Sequence, residues 1–146
     1  MRGKTPVPNQ STFREADQLL RNPESNSRRG GAILPGAGWP DGAESLIFTS
    51  KRALEIVHST DPIASDPTFR LTPRLVGALQ VMLVAIFAFG STFPIAVAIM
   101  RSKTTQAYEA VFKKLKELGL KPKQVVTDWE VAEREGWRRA FHKADY

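Results

Sequence analysis

Residues 78–89, Ala-Leu-Gln-Val-Met-Leu-Val-Ala-Ile-Phe-Ala-Phe, run through Gly90-Ser91-Thr92 into residues 93–100, Phe-Pro-Ile-Ala-Val-Ala-Ile-Met. Taken from 75 to 100, this is a run of 26 residues without a formal charge, long enough to cross a bilayer as one helix. Gln80, the Gly-Ser-Thr triplet and Pro94 argue for a different reading. They cut the run into pieces of 12 and 8 residues, and the triplet falls where a hairpin needs its turn. Strands covered on both faces also read as unbroken apolar runs. Two antiparallel strands are therefore expected, and a single membrane span over 75–100 is the alternative.

Downstream, Thr104 caps a predicted helix in which Tyr108, Val111, Phe112, Leu115 and Leu118 share one face of a 3.6-residue period. Gly119 stands at its C-cap and Pro122 blocks continuation. Gln124-Val125-Val126-Thr127 reads as a short buried strand. Asp128 then opens a helix carrying Trp129, Ala132, Trp137, Ala140 and Phe141. Upstream, residues 50–59 are a helix candidate with Leu54, Ile56 and Val57 as the apolar set. Residues 61–73 suggest an extended strand around Thr68-Phe69-Arg70-Leu71. The order strand, strand, strand, helix, strand, helix is an α/β pattern: an antiparallel system joined by a crossover to a further strand.

Composition divides the chain near residue 45. Residues 1–45 hold 11 of the 20 Gly and Pro residues and read as a disordered leader, with a short helix over 11–21 as its one structured candidate. Residues 46–146 read as the folded domain. With no cysteine, disulfides, zinc fingers and thiol catalysis are excluded. The two histidines, His58 and His142, have no metal-ligand spacing between them. The N-terminal Met-Arg-Gly-Lys-Thr-Pro has no apolar segment behind it, so a secreted protein is not expected. The net charge of +6 admits a polyanionic partner, and residues 101–146 carry +4 of it.

Two aspartates sit where strands should end, Asp66 in Ala-Ser-Asp-Pro-Thr-Phe-Arg and Asp128 in Val-Val-Thr-Asp-Trp-Glu. If the first and fourth strands are neighbours, both carboxylates meet at one edge of the sheet. Hard oxygen ligands so placed suit divalent metal, and two such ions can activate water and stabilise the leaving oxygen of a phosphodiester. The plainer reading makes Asp128 a helix N-cap and Asp66-Pro67 a turn, with Asp61-Pro62 in the same context. Lys113, Lys114, Lys116, Lys121 and Lys123 could contact phosphates, or simply form a solvated helix face favoured by the helix dipole.

The segment Pro-Ile-Ala-Val-Ala-Ile-Met-Arg-Ser-Lys-Thr-Thr-Gln-Ala-Tyr-Glu-Ala-Val-Phe-Lys-Lys-Leu-Lys (94–116), followed by Pro-Lys-Gln-Val-Val-Thr-Asp-Trp-Glu-Val-Ala (122–132) and closing on Phe141, resembles the transposase domain of Mutator-like elements, the MULE family. Phe48-Thr49-Ser50 and Asp66-Pro-Thr-Phe-Arg-Leu-Thr-Pro (66–73) resemble that family's lead-in and its Asp-Gly-Thr-Phe motif, so the likeness covers about 46–146. It implies an RNase H-like mixed sheet and DDE-type chemistry, metal-dependent cleavage and strand transfer on DNA with Mg²⁺ or Mn²⁺ held by two Asp and a later Glu. Asp66 and Asp128 take the places of the first two acids. Pro67 stands where the family has Gly, Glu133 and Gly136 replace apolar or small residues, and His142 replaces a Pro. The third acid and a Cys-x-x-His segment have no counterpart before Tyr146.

The expectation is thus a fragment or remnant of a transposase, incomplete at its C-terminus and inactive, in the nucleus or cytoplasm. Its expected partners are DNA, bound weakly and without sequence preference, and a second copy or another transposase subunit. A non-catalytic nucleic-acid-binding or interaction protein derived from a transposase is the alternative function.

Overall fold

The uncharged stretch forms two strands rather than one helix. In the computed structural model, which describes residues 31–33, 44–55, 57, 61–69, 79–88, 90–128, 130–144 and 146, the elements are β1 (Gly31–Ile33), β2 (Ser45–Thr49), α1 (Lys51–Glu55), β3 (Pro62–Phe69), β4 (Gln80–Ala88), β5 (Ser91–Met100), α2 (Thr105–Glu117), β6 (Gln124–Val126) and α3 (Val131–Ala140). β4 and β5 pair antiparallel from Gln80↔Met100 to Ala88↔Ser91 around a two-residue connection. Gly90 in that turn has φ 74°, a left-handed conformation that glycine adopts without steric cost. No helix among the described residues is long and apolar enough to cross a membrane.

The six strands lie in the order β1-β2-β5-β4-β3-β6. Every neighbouring pair is antiparallel except β3 and β6, which run parallel with Pro62↔Gln124, Ile63↔Val125 and Ala64↔Val126 in register. The connection between the hairpin system and β6 is α2, as a parallel return requires. The chain is therefore an α/β protein with an open mixed sheet.

Several boundaries differ from the sequence reading. β3 begins at Pro62, well before the expected centre at residues 68–71, because Ile63 and Ser65 are buried and the 62–64 segment pairs on both sides, with β4 and β6. Its register shifts between Asp66 and Phe69, where Pro67 has no N–H to give the ladder. α1 is only five residues long, with Ser50 Oγ accepting from the Ala53 amide at 3.0 Å. β1 and β2 were not anticipated; β1 falls inside residues 1–45, and β2 starts at Ser45. α3 starts at Val131 with Glu130 at its N-cap, so Asp128 is not the cap that its position suggested. The helix expected at 11–21, His58 and Trp129 lie outside the described residues.

α2 matches its sequence signals closely. The Thr104 hydroxyl accepts from the Ala107 amide at 3.2 Å, and Gly119 (φ 111°) follows the C-cap Leu118. Its buried residues, Ala107, Tyr108, Val111, Phe112 and Leu115, seal one face of the sheet. Ile47, Ile63, Met82, Val84, Ala98 and Met100 supply that face. Their strand neighbours Val81, Leu83, Val97 and Ile99 point the other way and are only half-buried.

α3 packs on α2 through an aromatic stack. Phe112 and Trp137 lie 3.8 Å apart between ring centroids at 15°, with Tyr108 and Phe141 continuing the stack at either end. Gly136 makes this approach possible. A Cβ at that position would stand 2.5 Å from Tyr108 Cβ and 2.9 Å from the Glu109 amide nitrogen, both on or next to a fixed helix backbone. At the end of α3, Lys116 Nζ donates to Ala140 O (3.1 Å), the Phe141 amide donates to Trp137 O (2.8 Å), and the single proton of the Tyr146 hydroxyl is within reach of Phe141 O (2.6 Å) or Trp137 O (2.8 Å).

Gly136→Ala should therefore destabilise the chain. Overpacking against backbone typically costs about 1–3 kcal/mol, more than the roughly 1 kcal/mol that alanine gains in helix propensity. A urea midpoint lowered in Gly136→Ala relative to the parent checks it; an unchanged or higher midpoint contradicts this account of the helix contact.

Candidate functional site

The parallel pairing of β3 and β6 sets the two sequence-predicted aspartates level with each other, but Asp66 lies within β3 rather than at its end, while Asp128 is past the end of β6. Asp66 and Asp128 each lie two residues past the registered pair Ala64↔Val126, and both are exposed. Beside them, the first turn of α3 contributes Glu130 and Glu133. The charges of Glu130, Asp128 and Asp66 all act on Glu133, which places four carboxyl groups in one electrostatic neighbourhood.

Glu133 is the unusual member. Its side chain is fully buried, at 0% exposure, on the face of α3 that also carries Trp137 and Ala140. Alternation along β3 turns Ser65 toward the helices and leaves Asp66 exposed. Trp137 Nε1–H donates to Ser65 Oγ at 2.8 Å, and the Ser65 hydroxyl donates in turn to Glu133 Oε1. Glu133 Oε2 is buried with no partner. Burial is the largest force pushing the Glu133 carboxyl up to about 7; the Ser65 hydrogen bond pulls it back, and the three neighbouring carboxylates add to the rise. A negative charge in a helix's first turn gains only about 0.3–1 kcal/mol from the dipole, too little to offset that burial.

A second hydrogen-bond chain runs alongside. Gln80 Nε2 donates to the Tyr108 hydroxyl at 2.9 Å, and that hydroxyl donates to Glu130 Oε1 at 3.0 Å. Burial and the charges of Glu130 and Glu133 hold the Tyr108 phenol protonated well above its ordinary range, so it stays a donor. Two chains, Gln80–Tyr108–Glu130 and Trp137–Ser65–Glu133, thus lead from the core to the first turn of α3.

The basic residues are less available than their spacing suggested. Lys113 pairs with Glu109 at 2.8 Å, Lys114 with Glu117 at 3.3 Å, and Lys116 is committed to Ala140 O and lies over the Phe141 ring. Lys121 and Lys123 are exposed on the segment leading into β6. A groove of about 450 Å³ runs between α2 and α3, lined by Glu109, Lys113, Lys116, Glu117, Arg139 and His142.

Hard carboxylate donors suit the Mg²⁺ or Mn²⁺ that the sequence resemblance implies. Among the described residues, however, no group of three or more Asp, Glu, His or Cys side chains stands together so as to hold an ion. Glu133 is turned into the protein under Ser65. The described residues therefore do not by themselves assemble a two-ion centre. In comparisons with family models, curated proteins and solved structures, nothing matches this chain.

In the sequence Glu133 stands out only as a departure from the resembled family and Gln80 only as a break in the apolar run, while Ser65 and the Tyr108 hydroxyl carry no assigned role. The signal for Glu133 was available: 133, 137 and 140 share a helical face, so this glutamate had to be buried with Trp137.

Ser65→Ala removes the one group joining Trp137 to Glu133, leaving a buried indole N–H and a second carboxyl oxygen unpartnered. A loss of about 2 kcal/mol or more is expected from two such groups, read as a lowered denaturation midpoint. The Glu133 carboxyl should also titrate higher still, because Ser65 is the partner that lowers it. An unchanged midpoint contradicts the hydrogen-bond chain.

Proposed function

We propose that the chain carries an RNase H-like core of the Mutator-like transposase kind, with Asp66 and Asp128 as two acids of a DDE-type centre that these 146 residues do not complete. One observation supports this reading above the others. Three antiparallel strands lead through a crossover helix to a strand parallel to the first, and the parallel register sets Asp66, within β3, level with Asp128, two residues past β6. Open α/β sheets bind ligands outside the carboxyl ends of their strands. Asp128 stands outside such an end, and Asp66 beside the register shift that precedes the end of β3.

Metal binding should be weak, on the order of millimolar, as befits two exposed carboxylates without a third. Supercoiled plasmid incubated with the purified chain and Mg²⁺ or Mn²⁺ should stay intact. Line broadening by Mn²⁺ in the chain's NMR spectrum should be confined to the Asp66–Asp128 edge and be lost in Asp66→Ala/Asp128→Ala. Metal-dependent nicking abolished by Asp128→Ala would show instead that the centre is complete.

The alternative function, a non-catalytic protein that contacts nucleic acid, is favoured by the cations on the helical layer. With Lys113, Lys114 and Lys116 already engaged, Lys121 and Lys123 carry this reading. Duplex DNA binding should be non-specific and salt-sensitive. Lys121→Glu/Lys123→Glu should weaken it and lower the log–log salt slope by about two, roughly one per phosphate contact. A complex indifferent to salt, or to this double substitution, overturns it.

A further inference from the structure

We propose that Glu133 is a proton-operated latch: with its proton it holds the first turn of α3 against β3, and without it that turn lifts and loosens the Asp128–Glu130 lip of the sheet edge. The inference is independent of the transposase reading. It rests first on geometry. Glu133 is wholly buried, its Oε1 receives one hydrogen bond from Ser65, and its Oε2 has no partner. A buried carboxylate needs donors for both oxygens, and here the protein supplies one. The groups facing it from each packed element add no compensation among the charges that act on it: Asp66 on β3, Asp128 after β6, Glu130 at the N-cap of α3, and the Tyr108 phenol on α2. Three are carboxylates. Ionised Glu133 is relieved by reaching water, and Glu133 itself sits in the first turn of α3, so lifting that turn exposes it.

Movement there is local by construction. α3 is anchored at its other end by the Phe112–Trp137 stack, by Gly136 on Tyr108, and by Lys116 and Tyr146 on its last carbonyls. Its N-terminal end has Glu130 at the cap with no side-chain cap bond, and is tied to α2 by the Tyr108 hydroxyl on Glu130 Oε1, a bond that the lift must break. The direction with pH follows from the carboxyl's position above its ordinary value. The seated form holds a proton that the unfolded chain has lost, so seating is strongest at and below the ordinary carboxyl range. It weakens as pH rises from there and is lost through about 7.

Amide hydrogen exchange on the whole 146-residue chain tests the latch, with rates corrected for intrinsic pH dependence. The informative amides are 134–137, which begin with Arg134 N on Glu130 O at 3.1 Å. Their protection should fall about tenfold or more between about pH 5 and about pH 8, while amides in α2 and β4 hold theirs. Glu133→Gln, a permanently neutral isostere, should keep protection level at both pH values. The same pH dependence in Glu133→Gln as in the parent overturns the latch, and so does an equal loss in every element. Should Glu133→Gln not fold, the carboxyl ¹³C titration of the parent decides alone. One glutamate should titrate well above the rest, in step with the loss of protection. Glutamates that all titrate together in the ordinary range overturn the proposal.

Discussion

A missing side chain at residue 136 governs how this molecule is assembled. With only a hydrogen there, α3 can lie against the Tyr108 turn of α2, and the distance between the two helices is set by backbone rather than by side-chain length. That spacing brings Trp137 onto Phe112 and its indole N–H within reach of Ser65. It also carries Glu133 beneath the sheet. Any larger residue would tilt or lift α3, and the aromatic stack, the Ser65 hydrogen bonds and the buried carboxyl would move together. The helical layer is therefore a single mechanical unit with one narrow tolerance.

The sheet has a matching constraint in β3. Among the described strands it alone has both an antiparallel and a parallel neighbour, and Ile63, Ser65 and Pro67 are its buried residues. Because β6 is three residues long, the parallel pairing fixes few hydrogen bonds but a definite register. That register decides that residues 66 and 128 emerge at one level. Pro67 then interrupts the ladder just beyond Asp66, and pairing resumes out of register at Phe69↔Val81. The acid pair lies beside an irregularity that has a covalent cause.

Long, strongly patterned segments were legible in the sequence. The α2 periodicity, its Thr104 cap and its Gly119 terminus each rest on local chemistry that needs no tertiary context. The hairpin was legible because Gly90 sits between two runs too short to span a membrane separately. β1 and β2 were not, since three- and five-residue strands carry too little pattern and gain their stability from β5. The start of α3 was misread because Asp128 has the composition of a cap, whereas the helix begins only after Glu130. At the site, the two aspartates could be named from position alone. The burial of Glu133 could be read from the helical face it shares with Trp137, but its hydrogen bond from Ser65, 68 residues away, could not.

Among the described residues, the margins of the sheet are β1 at one side and β6 at the other, each three residues long. A strand of that length offers an incoming chain few backbone groups, roughly 10 Å of ladder at about 3.3 Å per residue. Cross-β assembly draws its strength from segments of about six or seven residues that repeat without interruption. Of the long apolar strands best suited to such stacking, β4 lies between β5 and β3, and residues 96–100 of β5 lie between β4 and β2. Much of the amyloid-competent sequence is thus kept inside the sheet, and the short outer strands act as selvedges that offer an incoming chain little to pair with.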